Sequence, residues 1–145
     1  MRIDSNRPVV LVVEDEEVIL SLVVRTLDLY GIEAIPAKNG VEGLEKFIAN
    51  QSIIDAMFID VNCEGNSASY DGPWLVKAMK KLVHELPPVK FVTGYNAKYS
   101  IEELERLSGK SVLLKALTPT QIISAIRSML PNAVRFLLVP KVLVS

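Results

Sequence analysis

Ser52-Ile-Ile-Asp-Ala-Met-Phe-Ile-Asp-Val-Asn62 decides how the rest of this 145-residue chain is read. Ile53, Ile54, Ala56, Met57, Phe58 and Ile59 form an apolar run short enough to read as a strand buried on both faces, as in parallel sheets covered by helices. The run ends on a carboxylate, Asp60. In open α/β sheets ligands and chemistry gather outside the carboxyl ends of the strands, so Asp60 is expected at the mouth of a site, as a phosphoryl acceptor.

The flanking sequence repeats the same grammar. Upstream, Val9 to Val13 is a second continuous apolar run, followed directly by Glu14-Asp15-Glu16-Glu17. Val18, Leu22, Val23, Leu27 and Leu29 then recur near helical spacing, acids in the first turn suit the helix dipole, and Gly31 closes the helix. A short strand from Ile32 to Ala37 leads through Asn39-Gly40 into a helix over Val41, Leu44, Phe47 and Ile48. Downstream of Asp60, the polar stretch Cys63 to Tyr70 has no period, and Asp71-Gly72-Pro73 has the chemistry of a helix start. That third helix is expected to carry Leu75, Met79, Leu82 and Val83 inward until Pro87-Pro88 ends it.

Val89 to Val92 supplies a fourth strand ending in Thr93-Gly94, and Ser100 with Glu103 forms a capping-box signature for a short helix with Ile101, Leu104 and Leu107. Ser111 to Leu114 reads as the fifth strand and stops at Lys115. Thr118-Pro119-Thr120-Gln121 opens the last helix, lined by Ile122, Ile123, Ile126, Met129 and Leu130. Five strands alternating with five helices, joined by right-handed crossovers, predict a doubly wound α/β fold with a parallel sheet. The flavodoxin-like order 2-1-3-4-5 would set Glu14 and Asp15 beside Asp60.

Residues 1–131 are expected to form this one domain and residues 132–145 an apolar C-terminal tail. Ala133 to Val144 is apolar apart from Arg135 and Lys141, yet too short to span a bilayer. It reads either as an arm packing on this domain or a second copy, or as a truncated end. A composition of 50% hydrophobic and 23% charged residues excludes a disordered chain. Sixteen basic and 17 acidic side chains give a net charge of -1 with no basic block, so direct contact with nucleic acid is not expected. The single cysteine, Cys63, has no partner for a disulfide or a metal cluster and reads as an inert loop thiol. The apolar run from Pro8 to Val13 is too short for a signal peptide core, which makes a cytoplasmic, membrane-free protein the expectation.

Four strand ends thus carry polar groups: Glu14 and Asp15, then Asp60, Thr93 and Lys115. Taken singly, each has a bland reading: helix caps, a turn aspartate, a strand-end hydroxyl, a solvated ammonium. Their joint placement points to chemistry. Three converging carboxylates need a cation, and an all-oxygen site suits magnesium, with the backbone carbonyl of Asn62 completing the sphere. Asp60 could then attack phosphorus while the Thr93 hydroxyl and the Lys115 ammonium take up charge on the equatorial oxygens.

This ordered set resembles the receiver domains of two-component response regulators, in which an acidic pair follows the first strand, the acceptor Asp the third, a Ser or Thr the fourth and a Lys the fifth. The resemblance runs from about Pro8 to Leu130, with Asn39-Gly40 and Thr93-Gly94 as further landmarks. It implies a stand-alone phosphorelay signalling domain rather than an enzyme. Its phosphoryl donor would be a sensor histidine kinase or a histidine phosphotransfer protein, and it would act on an unidentified downstream protein by direct contact. The chain departs from the family pattern at Cys63-Glu64, where Met-Pro is usual, and in a longer loop to Asp71-Gly72. It departs again at Val112, where an aromatic switch residue is usual, and at Ala116, where a proline is. Asn62 and Tyr95 are the positions that would govern the lifetime of the acyl phosphate.

Two other classes compete. A magnesium-dependent phosphohydrolase of related fold would want a second carboxylate two residues after the nucleophile, where Asn62 stands. A degenerate receiver would serve only as an interaction module, a homodimer through its last helix or its tail, against which the intact Asp60, Thr93 and Lys115 argue. No glycine-rich nucleotide loop follows the first strand. Trp74 and Phe47 read as packing residues, and His84 is given no role.

Overall fold

The computed structural model describes residues 7–63, 69–94 and 98–131, together with Pro140. Strands β1 (Val9–Val13), β2 (Glu33–Ala37), β3 (Ala56–Asp60), β4 (Val89–Thr93) and β5 (Leu113–Leu114) alternate with helices α1 (Glu17–Leu29), α2 (Gly40–Asn50), α3 (Gly72–Leu82), α4 (Ile101–Ser108) and α5 (Pro119–Met129). The sheet runs β2-β1-β3-β4-β5 and every pairing is parallel, the flavodoxin-like order expected. Val13 lies in register with Ile59, so the acids after β1 sit next to the end of β3.

The strands read as unbroken apolar runs because both faces of the sheet are covered. Successive side chains alternate between faces. Val10, Val12, Phe58 and Val92 meet α1 and α5 through Leu20, Val23, Leu27, Ile122 and Ile126. Leu11, Val13, Met57, Ile59 and Phe91 meet the other layer through Phe47, Leu75, Met79 and Leu104. The most buried strands thus act as a fixed frame from whose ends the polar groups project.

Several local expectations need correcting. Ile53 and Ile54 lie in the turn before β3, because both amides donate to the Asn50 carbonyl at the end of α2, at 3.0 and 3.2 Å. Ile54 is nevertheless buried, so a turn residue and a strand merge into one apolar run. In α1 it is Leu20 that faces the core, while Val18 is 83% exposed. Leu82, the final residue of α3, is 52% exposed, and Val83 is an extended C-cap rather than a helical core position. β5 is only two residues long, and Ser111 instead accepts a hydrogen bond from Lys90 Nζ at 2.8 Å. The capping box is complete at Thr118 and Gln121, whereas Ser100 accepts from the Glu103 amide alone. The expected C-terminal tail, residues 132–145, lies outside the described residues apart from Pro140.

Gly72 carries a steric requirement. A Cβ there would lie 2.6 Å from the Asp60 carbonyl oxygen and 3.0 Å from Val61 Cα, and the Gly72 amide donates to the Val61 carbonyl at 3.0 Å. Backbone cannot yield as a side-chain tip can. Gly72→Ala is expected to lower stability by about 1–3 kcal/mol in urea denaturation, and an unchanged midpoint would show that the acceptor loop moves aside at no cost.

Candidate functional site

The end of β1 continues into Glu14, whose amide donates to the Ala37 carbonyl at 3.0 Å and so keeps Glu14 in line with the sheet. Glu14 and Asp60 are buried and Asp15 is exposed, yet carboxylate oxygens of all three lie within 4.8 Å of one another. Lys115, just past β5, brings Nζ to 3.0 Å from Glu14 Oε1 and 3.6 Å from Asp60 Oδ2. Its own amide donates to the Thr93 carbonyl at 2.9 Å. Thr93, at the end of β4, is buried, and its hydroxyl donates to the Gly94 carbonyl at 3.1 Å. The Asn62 amide donates to Asp60 Oδ1 at 3.3 Å, which holds the Asn62 peptide beside the acceptor candidate. All the residues singled out at the strand ends therefore meet at one edge of the sheet.

The electrostatics follow from crowding. Burial, and then the neighbouring charge of Glu14, push the Asp60 carboxyl up to about 8, against the opposing pull of Lys115. Asp15 is also raised, by partial burial and by Glu14. Burial would lower the Lys115 ammonium, but Asp60, Glu14 and Glu16 outweigh it and hold Lys115 above its ordinary value. One ammonium thus faces more carboxylates than it can neutralise. A hard, oxygen-only donor set short of positive charge is what a divalent cation such as magnesium fits, and the acids at 14, 15 and 60 have the proximity to hold one.

Two participants escaped the sequence reading. Glu16 occupies the N-cap of α1 without capping it. Its carboxylate instead lies 3.7 Å from Lys115 Nζ, and its amide donates to Glu14 Oε2 at 3.1 Å. Asp71 is a buried three-way junction. Its Oδ1 accepts from the Trp74 amide at 3.0 Å and caps α3, while its Oδ2 accepts from Tyr99 Oη at 2.6 Å and Lys98 Nζ at 3.0 Å. The start of α3 is thereby fastened to the segment after β4. Burial and the Asp71 hydrogen bond push the Tyr99 phenol up to about 12. A helix-start aspartate was legible in the sequence; its partners 27 and 28 residues away were not.

Val112 is half-buried and packs against the α3 and α4 layer of the core. Cys63 is fully buried, and burial with the nearby charge of Asp60 raises its thiol well above the ordinary range, which fits an inert residue. Residues 64–68 and Tyr95 lie outside the described residues. Among the described residues no helix is long and apolar enough to cross a membrane.

The sequence profile of the response regulator receiver domain matches residues 10–127. Solved structures of similar shape include a response regulator receiver domain protein of Clostridium thermocellum, 24% identical, covering 90% of this chain and 99% of that one with a TM-score of 0.74. The receiver domain of NtrX from Brucella abortus is 24% identical over 85% of this chain and 98% of its own, with a TM-score of 0.71. The chemotaxis protein CheY4 of Vibrio cholerae is 24% identical over 86% and 99%, with a TM-score of 0.69. No curated protein matches the chain by sequence.

Proposed function

Because the chain belongs to the response regulator receiver domain family, we propose that Asp60 is its phosphoacceptor, taking a phosphoryl group from a phosphohistidine on a sensor histidine kinase or a phosphotransfer protein. The observation that carries this reading is the Lys115 ammonium lying 3.6 Å from a buried carboxylate at the end of a central strand. In the transfer an Asp60 oxygen forms a bond to phosphorus as the phosphorus–nitrogen bond of the donor breaks, and the imidazole nitrogen leaves with the electron pair.

Lys115 then exchanges part of its contact with Glu14 and Asp60 for a phosphoryl oxygen. The Thr93 hydroxyl, which donates to the Gly94 carbonyl when no phosphoryl group is present, re-aims toward another. Glu14, Asp15, Asp60 and the Asn62 carbonyl would hold magnesium, which supplies the positive charge that the donor and acceptor oxygens lack. Redistribution of Thr93 and Lys115 alters the surface around β4 and β5, and a downstream protein target reads that surface.

The test is incubation with acetyl phosphate and magnesium, followed by intact-mass analysis and peptide mapping. The expected result is one phosphoryl adduct at Asp60, abolished when a chelator replaces magnesium. No adduct, or an adduct at another residue, would overturn the assignment, and rapid turnover of phosphate esters would favour the hydrolase reading instead.

A further inference from the structure

A trough follows the seam between α3 and α4. Its upper part, of about 310 Å³, has Pro73, Leu104 and Leu107 at its base and Tyr99 as a wall. Its lower part, of about 280 Å³, is lined by Val76, Leu86, Pro87 and Pro88. Lys80, Arg106 and Leu107 line both, so the two hollows adjoin, with the Lys80 side chain reaching from α3 to the Leu107 carbonyl on α4 between them.

The rim inverts the charge of the molecule. The chain as a whole carries -1, but the upper part presents Lys77, Lys80 and Arg106 against the single carboxylate of Glu103. Lys80 Nζ spends one N–H on the Leu107 carbonyl at 2.8 Å, which leaves two more donors on the ammonium. Neither Lys77 nor Arg106 takes part in an ion pair among the described residues. An apolar base beneath unspent cationic donors suits a ligand that is both greasy and acidic.

We propose that this trough docks an extended acidic peptide segment of a partner protein, with apolar side chains on the base and carboxylates on the Lys77, Lys80 and Arg106 rim. The eleven residues of α3 give a seam of roughly 16 Å at 1.5 Å per residue. That length matches about five residues of extended chain at roughly 3.3 Å each. Alternate side chains of such a segment point to opposite sides, so apolar residues alternating with acids place one set down and the other up. The division of the base into an upper and a lower hollow favours two anchoring side chains over a compact small anion. Every group this docking uses lies on α3, α4 or the segments flanking them, and Asp60 itself is not among them.

The experiment titrates the isotope-labelled full chain with hexapeptides that alternate Asp or Glu with Leu or Phe, following backbone amide shifts. Controls replace the apolar residues by Ser or the acids by Lys, and adenosine monophosphate serves as a small-anion probe. Shifts are expected at Lys77, Lys80, Leu104 and Arg106. Affinity should fall about tenfold or more in the double variant Lys77→Glu/Arg106→Glu. Both side chains are exposed, so the fold should survive the reversal. Lys81→Glu, an exposed charge on α3 outside the trough, should leave affinity unchanged within about a factor of two. The proposal is overturned by shifts on another face or by no shift at millimolar peptide. It is also overturned by equal binding of the Ser-substituted peptides, by tighter binding of adenosine monophosphate, or by self-association that buries this seam.

Discussion

Asp60→Asn yields a folded protein that accepts no phosphoryl group, and in chelator at neutral pH it is more stable than its parent. The loss of transfer follows from chemistry: a carboxamide oxygen is too weak a nucleophile toward phosphorus, and Glu14, the other buried carboxylate beside Lys115, is already paired with that ammonium at 3.0 Å. The gain in stability follows from linkage. Folding raises the Asp60 carboxyl from about 3.9 in an unfolded chain to about 8, through burial first and Glu14 second.

A group raised in this way contributes its stability in the protonated form. The contribution is complete below pH 4 or so and is lost as pH rises through 8. At pH 7.5, just below that value, the folded wild-type protein must put a proton on a carboxyl that the unfolded chain leaves ionised, or else hold the charge in a buried, crowded place, whereas asparagine carries neither cost and keeps an oxygen to accept from the Asn62 amide. The variant is expected to be more stable by about 1–3 kcal/mol at pH 7.5, with the gap closing near pH 4. Intact-mass analysis and thermal melts at the two pH values check both halves. A variant that still gains phosphate, or that melts below the parent at pH 7.5, contradicts them.

Lys115→Met has the opposite effect on stability. The ammonium is 17% exposed and serves Glu14, Asp60 and Glu16 at once. Methionine fills a similar volume but leaves these acids facing one another without a cation. Removing one partner from a largely buried pair costs about 3–5 kcal/mol, and the exposed Glu16 contact contributes little of that. The cost should be greatest near pH 8 and shrink toward pH 5, because protons on Asp60 and Asp15, both already raised, take the place of the missing charge. Magnesium chloride should recover part of the loss if the acids hold the ion. Urea denaturation of parent and variant at pH 5 and 8 measures this directly, and a difference that stays constant with pH would show that Lys115 does not neutralise these carboxylates.

The site was largely legible because its members stand at strand ends, where the hydrophobic pattern stops on a polar residue. Glu14 and Asp15, Asp60, Thr93 and Lys115 each follow a run whose burial needs no tertiary information to foresee, and parallel topology brings such ends to one edge. What stayed hidden depends on side-chain direction. Glu16 looks like any acid before a helix, and only the position of Lys115 shows why it leaves the N-cap unfilled. Asp71 looks like a cap, and is one, but its second oxygen serves Tyr99 and Lys98 across a long loop closure. In α1, Val23 and Leu27 face the core as their spacing predicts, but Val18 and Leu29 are exposed and Leu20 faces the sheet, a choice that the docking of the helix makes and that composition does not.

The two-residue β5 gives the site its mechanical character. Leu113 and Leu114 pair with Val92 and Thr93, and the next rung is the single link from the Lys115 amide to the Thr93 carbonyl. The hydroxyl-bearing and the ammonium-bearing residues are therefore spliced to each other through a backbone hydrogen bond. A tug on one is handed to its neighbour through one peptide group, while β1 and β3 stand behind them as an anvil.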